Sequence, residues 1–461
     1  MSKKYRPYEP DQMFLMPPSL IDWLPKDHMV FFVRDLLDRM DLSPITSHYE
    51  DEERGYPPYH PKMMTGILLY GYCNGIFSSR KLEQHAQEDV AYRVLAANNQ
   101  PDHRTISDFR KRHLGALQHL FVEVLRLCEK AGLVKFGHIS LDGTKIKANA
   151  SKHKAMSYGR MKKDAKRLQK EISELLKQAE QTDEREDRLY GPDKRGDELP
   201  EELARRETRL ARIMEAKRAL EREAKEQAGE DDHPKPPPDE QMPMARVKTE
   251  LDAKTGKTKV ADDAQRSFTD PESRIMPYQK TFVQGYNAQV AVDSAHQIIV
   301  ATDLSNNPTD DPLLPFMVAH LPQKPNAFSA DAGYSVTEEN LKYLKRRRID
   351  GYIAIKGTKH DQVTTQARSP RGPIPRDLTI KERMRRKLRT VKGRRLYARR
   401  KCIAEPPIGQ IKHVQGFRQF SLRGYAKARA EWFLVAASHN LRKLFRGCSA
   451  EPRRRKLLFA G

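Results

Sequence analysis

At 461 residues the chain is long enough for two or three domains, each with a core of its own. Its 85 lysines and arginines against 62 aspartates and glutamates leave a formal charge of +23, more than solubility requires, which points to a polyanion: nucleic acid or an acidic membrane surface. No run approaches the roughly 18 apolar residues of a spanning helix, which disfavours the membrane, and four widely spaced cysteines with no CxxC indicate neither a zinc ribbon nor a disulfide frame.

The N-terminal stretch MSKKYRPYEPDQMF has charge but no apolar h-region, so no secretory signal is read there and the cytoplasm is the expected location. Helical patterning follows. PKMMTGILLYGYCNG, from Pro61, is apolar all round and stops at Gly75, the pattern of a buried helix with a glycine end signal. SSRKLEQHA opens on Ser78 and Ser79 as capping candidates. A further helix is expected from Thr105 to about Leu133: Thr105 to Asp108 fits a loose capping signature, and Ile106, Phe109, Leu117, Leu120, Val124 and Cys128 share one apolar face. Arg80, Lys81, Arg104, Arg110, Lys111 and Arg112 cluster near the helix starts. Such a segment suits a helix-turn-helix set against DNA, or a helical bundle with a solvated basic face.

HISLDGTKIKANAS, from His138, changes apolar parity in the middle: Ile139 and Leu141 are odd, Ile146 and Ala148 even. A regular strand keeps one parity, so Asp142-Gly143 is either the turn of a hairpin or an acid placed for chemistry. From Tyr158 to about Gly229 the chain is charged and helical. Leu168, Ile172, Leu175 and Ala179 form one stripe, and Leu203, Leu210, Ile213, Lys217 and Leu220 another, with the break YGPDKRGDELP between them: a hairpin of two antiparallel helices. DDHPKPPPDEQMP reads as an extended linker.

Beyond the linker, YNAQVAVDSAHQIIVATDL is a predicted β-hairpin, DPLLPFMVAHL a helix, NAFSADAGYS a short buried strand, TEENLKYLKRRR a helix and DGYIAIKG a strand. Paired strands followed by alternation argue for an α/β domain with a mixed sheet, HISLDG being its first strand and the charged hairpin an insertion. The domains expected are 1–133, helical; 134–157 with 246–447, the α/β domain; 158–245, the insertion and linker; and 448–461, a basic tail.

Two strands end in an aspartate with glycine close behind, Asp142 and Asp331. Ligands gather at the carboxyl ends of strands in such sheets, and two carboxylates converging there repel unless a cation lies between them. Glu405 stands before Pro406, which places it at a helix start, and Lys412 follows seven residues on, two turns along the same face. From Lys381 to Lys401 there are twelve lysines and arginines against the single acid Glu382, a density commonly disordered or self-repelling unless it lies on phosphates.

In order, SLDGTKIKANAS, TDPESRIM, GYNAQVAVD, NNPTDDPLL, ADAGY and AEPPIGQIKHVQGFRQFSLRGYAKARAEWFLVAASHNLRKL resemble the successive motifs of bacterial insertion-sequence transposases of the Asp-Asp-Glu type, of the IS-four/IS-five-like kind. The helical stretch from Tyr59 to His113 resembles the N-terminal domain of the same proteins. The resemblance implies a ribonuclease-H-like mixed sheet with a helical-hairpin insertion, preceded by an all-α, helix-turn-helix-like domain. It makes Asp142, Asp331 and Glu405 the catalytic and metal-binding acids, for two magnesium ions with manganese as substitute. Its Tyr, Arg, Glu and Lys signature falls on Tyr397, Arg400, Glu405 and Lys412. Four residues separate Arg400 from Glu405 where the superfamily usually has three; Lys401 restores that spacing, so both are candidate DNA contacts. Pro407 stands where a helix-compatible apolar residue is more usual. The implied reaction cuts at terminal inverted repeats and joins 3′-hydroxyl ends to target DNA. The implied partner is double-stranded DNA, held by a homodimer in the bacterial nucleoid, with Arg80, Lys81, Arg104 and Arg110 as contacts of the N-terminal domain. Two alternatives share these features: an inactive DNA-binding protein that retains the fold, and a ribonuclease-H-like nuclease.

Overall fold

The computed structural model describes residues 19–49, 58–151, 154–190, 201–231, 237, 239–251, 258–279, 281–335, 337–355 and 369–459. The predicted turn at 191–200 and residues 232–236 and 238 of the Pro-rich linker lie outside them. By packing, the chain divides into two units: the residues up to Ala131 together with those from Ala437 on, and Gly132–Ala436.

The first unit is helical. Helix α1 (Pro61–Cys73) is buried from Met64 to its end and stops at Asn74, with Gly75 at φ +77° taking the left-handed turn. Helix α2 (Ser79–Glu88) turns Leu82 and Ala86 inward. The helix expected from Thr105 is two helices, α3 (His103–Arg112) and α4 (Leu114–Lys130), broken at His113. Asp102, not Thr105, is the cap of α3, its carboxylate accepting from the Thr105 amide at 2.7 Å. The predicted apolar face is buried throughout. The C-terminal segment belongs to this core rather than forming a separate tail. Phe32 lies 5.5 Å from the Phe445 ring and 5.9 Å from Phe459, and Arg442 donates to the carbonyl of Cys73 at 2.6 Å.

The second unit is built on a six-stranded mixed sheet. Its strands are β1 (His138–Lys147), β2 (Arg274–Tyr278), β3 (Thr281–Asp293), β4 (Ile299–Ser305), β5 (Ala327–Ala330) and β6 (Gly351–Ile353). The order is β6-β5-β1-β3, with β2 and β4 following one another along the far edge of β3. The β1–β3 and β3–β4 pairs are antiparallel, β1–β5 and β5–β6 parallel. This is the ribonuclease-H-like arrangement. The predicted hairpin is β3–β4, and the short apolar runs are the parallel strands β5 and β6, buried throughout and therefore without alternation.

The same coverage explains the parity change in β1. There is no turn at Asp142-Gly143: the strand pairs with β3 without interruption from Ile139 to Lys147. His138 to Leu141 are buried on both faces, so parity carries no information there; beyond Gly143, Thr144 and Ile146 are buried and Lys147 exposed.

The insertion is the expected helical hairpin, α5 (Tyr158–Tyr190) and α6 (Glu201–Asp231). Met161, Ala165, Leu168, Ile213, Ala216 and Leu220 close its seam, Ala216 taking the place expected of Lys217.

The basic run folds into helices α7 (Ile380–Arg389) and α8 (Val391–Gly409). Thr379 and Glu382 form a capping box on α7, and Thr390 caps α8 through the Gly393 amide. Glu405 is therefore deep inside a helix that starts at Val391, not at a helix start, and Pro406 and Pro407 are interior prolines. Pro406 cannot donate to the carbonyl four residues back, that of Cys402. The Gln297 side chain, from the β3–β4 turn, donates to that carbonyl at 2.9 Å and removes much of the cost. A π-helical turn, Gln410–Val414, follows. Helix α9 (Tyr425–Ala450) seats Trp432, fully buried, with its indole N–H donating to Thr302 at 2.7 Å.

Candidate active site

Helix α8 lies across β1, β3, β5 and β6, bringing its basic face over the carboxyl end of β5 and the middle of β1. Arg400, 8% exposed, is the hub of the contact. One guanidinium nitrogen lies 3.1 Å from Asp142 Oδ2 and the other 3.7 Å from Glu405 Oε1. Burial works against the arginine's charge, but Asp142, Tyr397, Asp331 and Glu405 outweigh it and hold its pKa above the ordinary value. Lys401 is exposed, so the side chain at these acids is Arg400 despite its unusual spacing from Glu405. Tyr397, 6% exposed, packs with Ala327, Tyr352 and Leu388, and burial raises its pKa.

Asp142 accepts from the Gly143 amide at 3.0 Å and Asp331 from the Gly333 amide at 2.8 Å. Burial, only partly opposed by Arg400 and reinforced by the charges of Asp331 and Asp310, pushes the Asp142 carboxyl up to about 6. Burial likewise raises Asp331. Glu405 is more open, its side chain 53% exposed, and reaches the pair only through Arg400. Among the described residues, no three histidine, cysteine, aspartate or glutamate side chains converge closely enough to hold one metal ion. Asp142 and Asp331 nonetheless fit a hard divalent cation, being oxygen donors whose charges are penalised by burial and by neighbouring carboxylates.

A fourth acid stands here that the sequence reading passed over. Asp310 Oδ1 accepts from Asn287 at 2.7 Å, Gln289 at 3.0 Å and Lys145 at 3.2 Å. Its neighbour Asp311 serves the fold instead, holding Thr337 Oγ1 at 2.7 Å. The available signal was in β3: Asn287 and Gln289, polar residues two apart in a strand buried from Val283 to its end, must have partners.

Gly143 owes its identity to this clamp. A β-carbon there would stand 2.5 Å from Gln289 Nε2 and 2.7 Å from Asp310 Oδ1. Gly143→Ala is therefore expected to destabilise the protein by about 1–3 kcal/mol, the usual cost of overpacking. A chemical-denaturation midpoint equal to wild type would show that the clamp yields freely.

Lys412, on the π-helical turn, is 8% exposed; its ammonium donates to the Lys145 carbonyl at 2.9 Å and lies 4.9 Å from the centre of the Tyr278 ring. Burial, then the charge of Lys145, pulls its pKa down to about 8.

In the first unit, Arg80, Lys81 and Arg104 are exposed. Arg110 is not: it is 3% exposed and donates to the Tyr72 hydroxyl at 3.1 Å and the Phe77 carbonyl at 2.8 Å, tying α3 to the end of α1. Its role is to hold helices together, and its position near a helix end gave no warning of that.

Residues 18–112 match the family model described as a transposase domain (DUF772), and residues 249–441 the model described as a transposase DDE domain. No curated protein and no solved structure matches the chain. Among the described residues no helix is long and apolar enough to cross a membrane.

Proposed function

The chain belongs to the DDE transposases, and from that premise we propose that it cuts DNA at the terminal inverted repeats of an insertion sequence and joins the freed 3′-hydroxyl ends to target DNA, using Asp142, Asp331 and Glu405. The observation that carries this reading is one meeting point. Asp142 from β1, Asp331 from its parallel neighbour β5, and Arg400 with Glu405 from the helix laid across both share a single electrostatic environment.

Asp142 and Asp331 would hold magnesium, or manganese in its place, and Glu405 would join them as a ligand once Arg400 turns from it to the DNA. Bound there, the cation supplies Lewis-acid charge to a phosphate oxygen and lowers the pKa of an attacking water or hydroxyl. The chain's own side chains do the rest. Arg400 pairs with Asp142 and Glu405; released from them, its planar guanidinium grips two oxygens of a phosphate. Lys412 presents a point charge, and a phosphate beside it favours the protonated form that burial opposes. Asp310, fixed by three donors, keeps Gln289 and Asn287 in place beneath the acids. Exposed Lys401, Arg80, Lys81 and Arg104 contact the DNA backbone away from the reacting phosphate. Because two ends must be joined, the working species is a homodimer on DNA.

The test is a duplex carrying the element's terminal repeats, incubated with magnesium, with manganese or with a chelator. Cutting at the repeat end is expected in either metal and not in the chelator, while binding persists in all three. A chain that binds and never nicks would be the inactive DNA-binding protein, and equal cutting of random duplex or RNA–DNA hybrid would favour the nuclease.

The pH profile of cleavage follows from Asp142. Below about 6 its carboxyl is neutral and a poor cation ligand. The acid limb is therefore expected near pH 6 at low magnesium, and to move to lower pH as magnesium is raised, since proton and metal compete for the same oxygen. A limb indifferent to magnesium would count against Asp142 as a ligand.

A further inference from the structure

The helical insertion carries a second basic surface, separate from the acids. A groove of about 1240 Å³ runs between α6 and the short strands Ala155–Ser157 and Gln265–Ser267. Arg205, Arg209 and Arg212 enter it from one face of α6, since residues four and seven apart share a helix face, and Arg160 and Arg423 stand in the other wall. Glu215 is the one acid among the described residues lining it. The three helix arginines are exposed, and among the described residues the side chain of neither Arg209 nor Arg212 makes a hydrogen bond or an ion pair.

The guanidinium groups of Arg209 and Arg212, within about 5 Å of helix axis, repel one another, and among the described residues Glu215 is the one acid lining this wall. The opposite side of the same helix is different: there Arg218 and Lys225 are interleaved with Glu207 and Glu221, the ordinary pattern of a solvated face. A duplex presents one phosphate charge per roughly 1.7 Å of its axis, so each groove arginine meets a phosphate. The far wall is also continuous with the catalytic strand. Arg423 donates to the Asn149 carbonyl at 3.1 Å, and Asn149 lies seven residues along the chain from Asp142, roughly 20–25 Å in extended form. That is less than one turn of a duplex.

We propose that this groove is a second seat for the DNA backbone, holding the duplex on one side of the cleavage point through Arg205, Arg209 and Arg212, without reading sequence. The proposal rests on the reading that the chain acts on DNA. It adds a role for the insertion, whose apolar seam by itself explains only why the hairpin is folded.

The full-length protein is titrated onto a random-sequence duplex in chelator over a range of salt, comparing wild type with Arg209→Gln/Arg212→Gln and with Arg218→Gln/Lys225→Gln. Both pairs remove two charges from α6, and circular dichroism establishes that each is folded. The groove pair is expected to bind about tenfold more weakly and to reduce the salt slope by about 2, the change for two lost phosphate contacts; the control pair should stay within about twofold of wild type. Equal losses in both pairs would mean that net charge alone matters, and no loss in the groove pair would mean the duplex lies elsewhere; either result overturns the proposal. Wild type that fails to bind duplex at all overturns the functional reading along with it, whereas wild type that binds and cuts while the groove pair is unchanged sinks only the groove.

Discussion

Asp142→Asn, Asp331→Asn and Glu405→Gln are each expected to lower cutting of a repeat-bearing duplex by roughly 10³-fold or more, the scale on which members of a site acting as a unit are lost. Each change keeps the side chain's size and removes its charge, so the fold has little reason to respond. Asp142 is the clearest case. Its carboxyl already stands near 6 because ionisation in that surrounding is costly, and an amide removes the cost together with the ligand. Thermal stability of Asp142→Asn should therefore be close to wild type, and DNA binding in chelator should persist. Cleavage within tenfold of wild type in any of the three variants would refute its assignment as a metal-binding acid.

Arg400→Gln is expected to be nearly as damaging, with a loss of about 10²–10³ in cleavage, whereas Lys401→Gln should change it by less than threefold. The contrast comes from position. Arg400 is buried against Asp142 and within 3.7 Å of Glu405, while Lys401, one residue on, faces solvent. A charged hydrogen-bonding group at a developing phosphate charge contributes several kcal/mol to a transition state, and an exposed lysine typically contributes less than 1 kcal/mol. Arg400→Lys separates two roles. If a point charge is enough, it restores activity; if the two-pronged grip matters, it restores only part. A larger loss in Lys401→Gln than in Arg400→Gln would reverse the assignment and favour the spacing usual in the superfamily.

Much of the second unit was legible from pattern alone. The strands at 286–304, 327–330 and 351–353 and the helical hairpin lie where their apolar periods place them, because burial on one or two faces leaves a direct trace in residue type. Glu405 shows where local signals mislead. A proline after an acid favours a helix start, and only a side chain from a distant turn, Gln297, lets the helix run through it. Arg110 shows the same limit with charge: composition sees a cation near a helix end and cannot see that Tyr72 and the Phe77 carbonyl enclose it. Asp310 was hidden for a related reason, since of two adjacent aspartates one braces the fold and the other faces the acids, a choice made by how the chain turns from β4 into the helix Leu314–Ala319.

Residue pattern carried the order of the main elements, the mixed sheet and the insertion, since each depends on residues near one another along the chain. Packing settled that Asp142-Gly143 continues a strand, that Arg400 and not Lys401 faces the acids, and that Asp310 is clamped beside them. Those outcomes depend on which distant groups arrive at the same few ångströms, and a glycine whose missing methyl makes room for an aspartate more than 160 residues away leaves no local sign of why it is there.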